Sequence, residues 1–177
     1  MNSKEQALKS LVVYYSVTGN TRRLAGDIAA AMEADIETLH DPRIKPGLRG
    51  YLRLAQDAIG HKEATLAPIT RDPAVYDLVV LAGPIWSSKM CSPVAVYACR
   101  HKHAFKNVAL VCTSRSSKEG YAGQCMARFA EAEGMSPIGM LGLGHRDLKS
   151  DYSRHISEFV RLLNTHMKDF EKKGDSL

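Results

Sequence analysis

Apolar residues in this chain fall into two alternating patterns. Leu11-Val12-Val13-Tyr14-Tyr15 is a continuous run bounded by polar residues, as expected of a strand covered on both faces of a parallel sheet. Beyond a short loop, Leu24, Ile28 and Met32 recur every fourth residue with Ala25, Ala29, Ala30 and Ala31 between them, which predicts a helix with one apolar face. Residues 35–40 alternate polar and apolar, predicting a half-covered strand near a sheet edge that Pro42 and Pro46 end. A second helix is predicted over 47–61, where Leu48, Tyr51, Leu52, Leu54, Ala55, Ala58 and Ile59 keep helical spacing. Another continuous run, 78–82, predicts a central strand, followed by a loop over 83–88. Ser92-Pro93 suits an N-cap with proline at the first helical position, opening a helix over 94–102. The run 108–112 predicts a fourth strand, 126–133 a helix closed by Gly134, and 135–143 a glycine-interrupted fifth strand. A last helix opens near Ser150 or Asp151, with Ile156, Phe159, Leu163, Met167 and Phe170 on its apolar face.

Strands and helices that alternate in this way predict an α/β fold, a doubly wound sheet of five parallel strands with helices on both faces. The length of 177 residues suits one such domain spanning 1–177 and not two. Ligands of these sheets bind beyond the carboxyl ends of the strands, where the strand order reverses. Three loops fall at those ends, 16–21, 83–88 and 113–121, and together they form the expected site.

The first of these loops, Ser16-Val17-Thr18-Gly19-Asn20-Thr21, leads from a strand into a helix. The first turn of that helix directs free N–H groups and the positive dipole end at the loop mouth, and an anion is favoured there. Hydroxyls of Ser16, Thr18 and Thr21 and the Asn20 amide add neutral donors. No lysine accompanies them, and GxxxxGK[ST] occurs nowhere in the chain, so the loop suits a terminal phosphate that is held and not transferred. A serine/threonine-rich helix cap is the plainer alternative. Arg22 and Arg23 follow at the helix start, where cations are mildly unfavourable; a nearby phosphate would offset them, and full solvent exposure explains them equally well.

Composition narrows the classes. Hydrophobic residues make up 45% and charged residues 24%, values of an ordinary globular chain. No stretch approaches the roughly 18 apolar residues of a membrane span. Lys4, Glu5 and Lys9 precede a short apolar run better explained as the first strand, so neither signal peptide nor membrane partner is expected. Cys91, Cys99, Cys112 and Cys125 show neither CxxC nor zinc-ligand spacing, and buried or semi-buried thiols in a reducing cytoplasm are expected. The net charge of +5 is spread without a basic run, so nucleic acid is not an expected partner. His101 and His103 flank a helix end without a third ligand, so no metal is expected. Gly142-Leu143-Gly144 begins like a dinucleotide fingerprint, but Asp147 replaces its third glycine.

With its loop after the first strand, the sequence resembles the flavodoxins, whose phosphate loop has the form [ST]-x-T-G-[NT]-T. Tyr76-Asp77-Leu78-Val79-Val80 followed by Gly83-Pro84-Ile85-Trp86 is similar to their strand and flavin-contacting loop. The resemblance covers nearly the whole chain and implies strand order 2-1-3-4-5 with FMN at the reversal, the arrangement for which flavodoxin is the standard example. By resemblance, Ser16, Val17, Thr18, Gly19, Asn20 and Thr21 would hold the FMN phosphate. Pro84, Ile85, Trp86 and Ser87 would line the ring, with Trp86 against it or else folded back onto the core. Thr113, Ser114 and Arg115 would form a third wall, with Tyr121 as an aromatic on the ring's other side. This third loop departs from the acidic pattern of electron-carrying flavodoxins, holding Arg115 and Lys118 against Glu119.

The resemblance implies non-covalent FMN cycling between oxidised and reduced states, with no catalytic residue required. An electron-transfer protein is the leading reading, and an NAD(P)H-dependent FMN or quinone reductase of the same fold the runner-up. Redox partner proteins or a small-molecule electron acceptor, and a monomer or homodimer, complete the expectation. A receiver domain is set aside because Tyr15-Ser16 and Ala82-Gly83 stand where its acidic residues belong. A low-molecular-weight phosphatase is set aside because no cysteine has an arginine six positions on.

Overall fold

The computed structural model describes residues 8–43 and 65–174, with side chains to residue 168. The helix expected over 47–61 and the side chain of Phe170 lie outside the described residues. Five parallel strands, β1 (Ser10–Tyr14), β2 (Asp35–Thr38), β3 (Leu78–Trp86), β4 (Val108–Thr113) and β5 (Met140–Leu143), lie in the order β2-β1-β3-β4-β5. This is the expected order 2-1-3-4-5. Among the described residues four α-helices accompany them: α1 (Asn20–Met32), α2 (Ser92–His101), α3 (Tyr121–Glu133) and α4 (Ser153–Gly174).

Alternate residues of each central strand face opposite sides, and the core accordingly divides in two. Val12, Tyr14, Val80, Ala82, Ala109 and Val111 pack with Leu24 and Ile28 of α1 and Phe159 and Leu163 of α4. Leu11, Val13, Leu81, Leu110 and Cys112 pack on the other face with Val94 and Tyr97 of α2 and Met126 and Phe129 of α3. Both faces of the sheet are therefore covered, and the continuous apolar runs follow from it. No helix among the described residues is long and apolar enough to cross a membrane.

Several boundaries differ from the expected ones. Residues 83–86, expected as loop, continue β3, and the chain turns at Ser87-Ser88 into a two-residue antiparallel strand, Lys89–Met90. Gly83 and Pro84 pass as strand because both pair with β4. A side chain at Gly83 would lie 2.8 Å from the Cys91 sulfur and 2.9 Å from Val94 Cγ2, so α2 packs directly on that backbone. Cys91, not Ser92, is the N-cap of α2, and α3 begins at Tyr121, inside the stretch expected as loop. The fifth strand keeps only Met140–Leu143, and a 3-10 turn, Asp147–Lys149, precedes α4. His101 lies against the Tyr97 ring at 4.7 Å; burial, then Arg100, lowers its pKa.

The glycines in 139–144 permit close packing and form no dinucleotide loop. A Cβ on Gly142 would come within 2.4 Å of Ala122 Cβ and 3.5 Å of Ala122 Cα. Gly142→Ala must push α3 outward, with an expected loss of about 1–3 kcal/mol, read as a lower urea midpoint at unchanged m-value. An unshifted midpoint would mean that α3 moves freely.

Candidate functional site

The chain runs from β1 outward to β2, then returns across β1 to β3, so the order reverses between β1 and β3. A cleft of about 630 Å³ opens at the carboxyl ends there, inside the range of roughly 300–1,000 Å³ usual for small-molecule sites. Thr18 and Asn20 line it from the loop after β1, and Pro84, Ile85, Trp86 and Ser87 from the end of β3. Thr113, Ser114, Arg115 and Ser116 come from the end of β4, and Tyr121 from the start of α3. All three expected loops thus border one cleft.

Not every residue of the first loop reaches it. Ser16 is half-buried, its hydroxyl accepting from the Gly19 N–H at 3.2 Å, and Val17 points to solvent, 36% exposed. Gly19 adopts φ 90° at the N-cap of α1, a conformation that costs glycine little. Having no side chain, it leaves the first turn uncapped, so those N–H groups stay available to a ligand beside Thr18 and Asn20. Thr21 is 2% exposed, and its hydroxyl shares a 2.8 Å hydrogen bond with that of Thr113. Thr21 therefore fastens the β1 loop to the end of β4.

Trp86 is half-buried and meets the Tyr15 ring edge-on at a centroid distance of 6.0 Å, so it lines the cleft while resting on a core residue. The following turn carries φ 48° at Ser87 and 64° at Ser88. Two-residue hairpins favour asparagine or glycine at such positions, and serine holds them here with the Ser88 hydroxyl 3.2 Å from the Tyr121 hydroxyl. Tyr121 thereby steadies the turn next to Trp86.

Two lining residues were not assigned to the site by the sequence patterns, although the glycine pattern at 142–147 lies beside them. His145 and Leu148 enter the cleft from the segment after β5. The usable signal was Gly144, where a Cβ would meet the Ser116 carbonyl oxygen at 2.7 Å and Ser117 Cα at 2.9 Å. Only a glycine lets this segment lie against the third loop, and the Ser117 hydroxyl accepts from the Arg146 N–H at 3.1 Å. Arg23 is exposed, as one of its two expectations had it, and is partnered as well. Its guanidinium donates to the Tyr152 hydroxyl at 2.8 Å and to the Leu148 carbonyl, while Tyr152 donates to Asp27 at 2.6 Å. It ties α1 to the chain entering α4.

The ionisable groups beneath the cleft stay neutral. Burial, ahead of Cys91 and Asp41, pushes the Tyr15 phenol above its ordinary range. Burial likewise lifts the Cys91 and Cys112 thiols to about 12 each, so neither supplies a thiolate near neutral pH. What the cleft offers is hydroxyls, free N–H groups, two aromatic rings, Arg115 and His145. Such a set binds and orients; it holds no activated nucleophile.

No family model and no curated protein matches the sequence. Among solved structures, a flavoprotein in complex with FMN from Lactobacillus acidophilus NCFM is 21% identical, with a TM-score of 0.62 over 81% of this chain and 97% of that one. The fold is flavodoxin-like. A flavodoxin, WrbA-like protein from Agrobacterium tumefaciens, 16% identical, superposes with a TM-score of 0.52 over 89% of this chain and 96% of its own. In this flavodoxin-like arrangement the Thr21–Thr113 pair joins the first loop to the third. Thr113→Val is expected to cost about 1–3 kcal/mol by leaving the Thr21 hydroxyl buried and unpaired. A double replacement of both threonines by valine should cost less than the sum of the single ones, and strict additivity in urea unfolding would contradict the link.

Proposed function

We propose that this chain is an FMN-binding electron-transfer protein. The observation that carries the reading is the convergence of the uncapped α1 first turn, with Thr18 and Asn20, and the Trp86 and Tyr121 rings on one cleft of about 630 Å³. The residues present fit the group. Neutral hydroxyls and N–H groups suit a phosphate monoester held without transfer, and flat aromatic surface suits a flat heterocycle. The FMN bound to the Lactobacillus acidophilus protein of the same fold agrees with this reading.

The bound flavin would supply the redox chemistry. The protein's part is to position and to shield. Thr18, Asn20 and the α1 N–H groups would take the phosphate, Trp86 and Tyr121 would cover the ring's apolar surface, and Arg115 brings positive charge to the third wall. If FMN is bound, a positive neighbour such as Arg115 would favour added negative charge on it, so its reduction potential is expected to lie above that of acidic flavodoxins. The Arg115→Glu variant should lower it, as read by spectroelectrochemical titration; an unchanged potential would remove Arg115 from this role.

Trp86 is the single tryptophan of the chain, so its fluorescence reports on the cleft alone. Titration with FMN should quench it and give a yellow holoprotein, and riboflavin, lacking the phosphate, should bind at least about tenfold more weakly. A protein that stays colourless with unquenched Trp86 would contradict the proposal. Anaerobic mixing of the holoprotein with NADH or NADPH separates a carrier, slow to bleach, from a reductase, quick to bleach.

A further inference from the structure

Cations gather around the cleft end of the sheet. Toward the amino ends of the strands three cations are paired, Arg71 with Asp35 at 3.0 Å, Lys106 with Asp77 at 2.9 Å and Lys102 with Glu133 at 3.3 Å, while exposed Lys9 and Arg100 take part in no ion pair among the described residues. At the cleft end, Arg22, Lys89, Arg115, Lys118, Arg146 and Lys149 are all exposed. None of these six takes part in an ion pair among the described residues. Of the carboxylates on the loops at that end, Asp41 pairs with Arg43 at 2.7 Å, Asp147 accepts from the Gly144 N–H at 2.8 Å and Asp151 from the Ser153 N–H at 2.9 Å, and Glu119 lies beside Lys118 in sequence.

Unpaired like charges that surround one opening repel each other, and nothing in the packing of the described residues holds them there. Their potential adds up over the mouth of the cleft and steers a partner of opposite sign. Of the six side chains only Arg115 lines the cleft; the others are spread over separate loops and the first turn of α1. That spread matches a broad negative surface better than one small anion, which needs cations converging on a point.

Building on the FMN reading above, we infer that the cleft mouth is the docking surface for an electron-transfer protein with an acidic face, the charge inverse of the acidic flavodoxins. In the step that follows docking, a reduced donor centre loses one electron and the flavin gains it. No bond of the protein forms or breaks.

The test uses a plant-type [2Fe–2S] ferredoxin as the acidic probe and cytochrome c as the basic one. FMN uptake is scored first from the visible spectrum, because its failure removes the redox reading without touching the surface. Calorimetry of the flavin-free protein with oxidised ferredoxin then tests the surface by itself. Binding is expected at low ionic strength and should be lost in the Arg115→Glu/Lys118→Glu double variant. An Arg161→Glu/Lys168→Glu control, with the same change in net charge on α4, should retain it. For the holoprotein, the rate of electron transfer from reduced ferredoxin should fall at least about tenfold between about 20 mM and about 300 mM salt. The rate of reoxidation by cytochrome c should stay level or rise. Equal effects of the two double variants, no ferredoxin binding at low salt, or a salt dependence seen with NADPH but not with ferredoxin would each overturn the proposal.

Discussion

Everything in the described structure depends on the constraint that parallel strands impose on the chain. Each strand must be re-entered from the same end, so each carboxyl end opens into a loop on one side of the molecule, and the return journeys become helices on the faces. Because the order reverses at β1, two of these loops diverge there and leave a cleft between them. The buried hydroxyl pair of Thr21 and Thr113 spans this opening and fixes the first loop against the third. Close packing at Gly83, Gly142 and Gly144 brings helices and loops near enough for the walls to be continuous.

Much of this could be read from residue order alone. Continuous runs such as 78–82 and 108–112 are buried strands because both faces are covered, and apolar periodicity located α1 and α4. The three strand-end loops were legible for the same reason. Harder to read were features decided by contacts between distant segments. Gly83-Pro84 has the composition of a turn, yet pairing with β4 keeps it in the sheet. Thr21 looks like a ligand donor by motif, and only the folded chain shows its hydroxyl also bonded to that of Thr113. His145 and Leu148 join the cleft because Gly144 allows a close approach that no local pattern announces.

Charge gathers along the same axis. Arg71, Lys102 and Lys106, toward the amino ends, have carboxylate partners, whereas the six cations around the cleft mouth take part in no ion pair among the described residues and face solvent. A fold can thus keep its scaffold while the sign of its functional rim changes, since rim residues lie on loops that carry little of the core.

The central claim is that the cleft between the β1, β3 and β4 ends takes FMN. Mapping backbone and indole N–H chemical shifts during an FMN titration tests it most directly. The account expects the changes to concentrate at 18–22, the Trp86 indole, 114–116 and 145–148. It expects none around the second cavity, which Lys102, Phe105 and Met135 line at the opposite end. Changes confined to that second cavity, or no changes at saturating FMN, would contradict it.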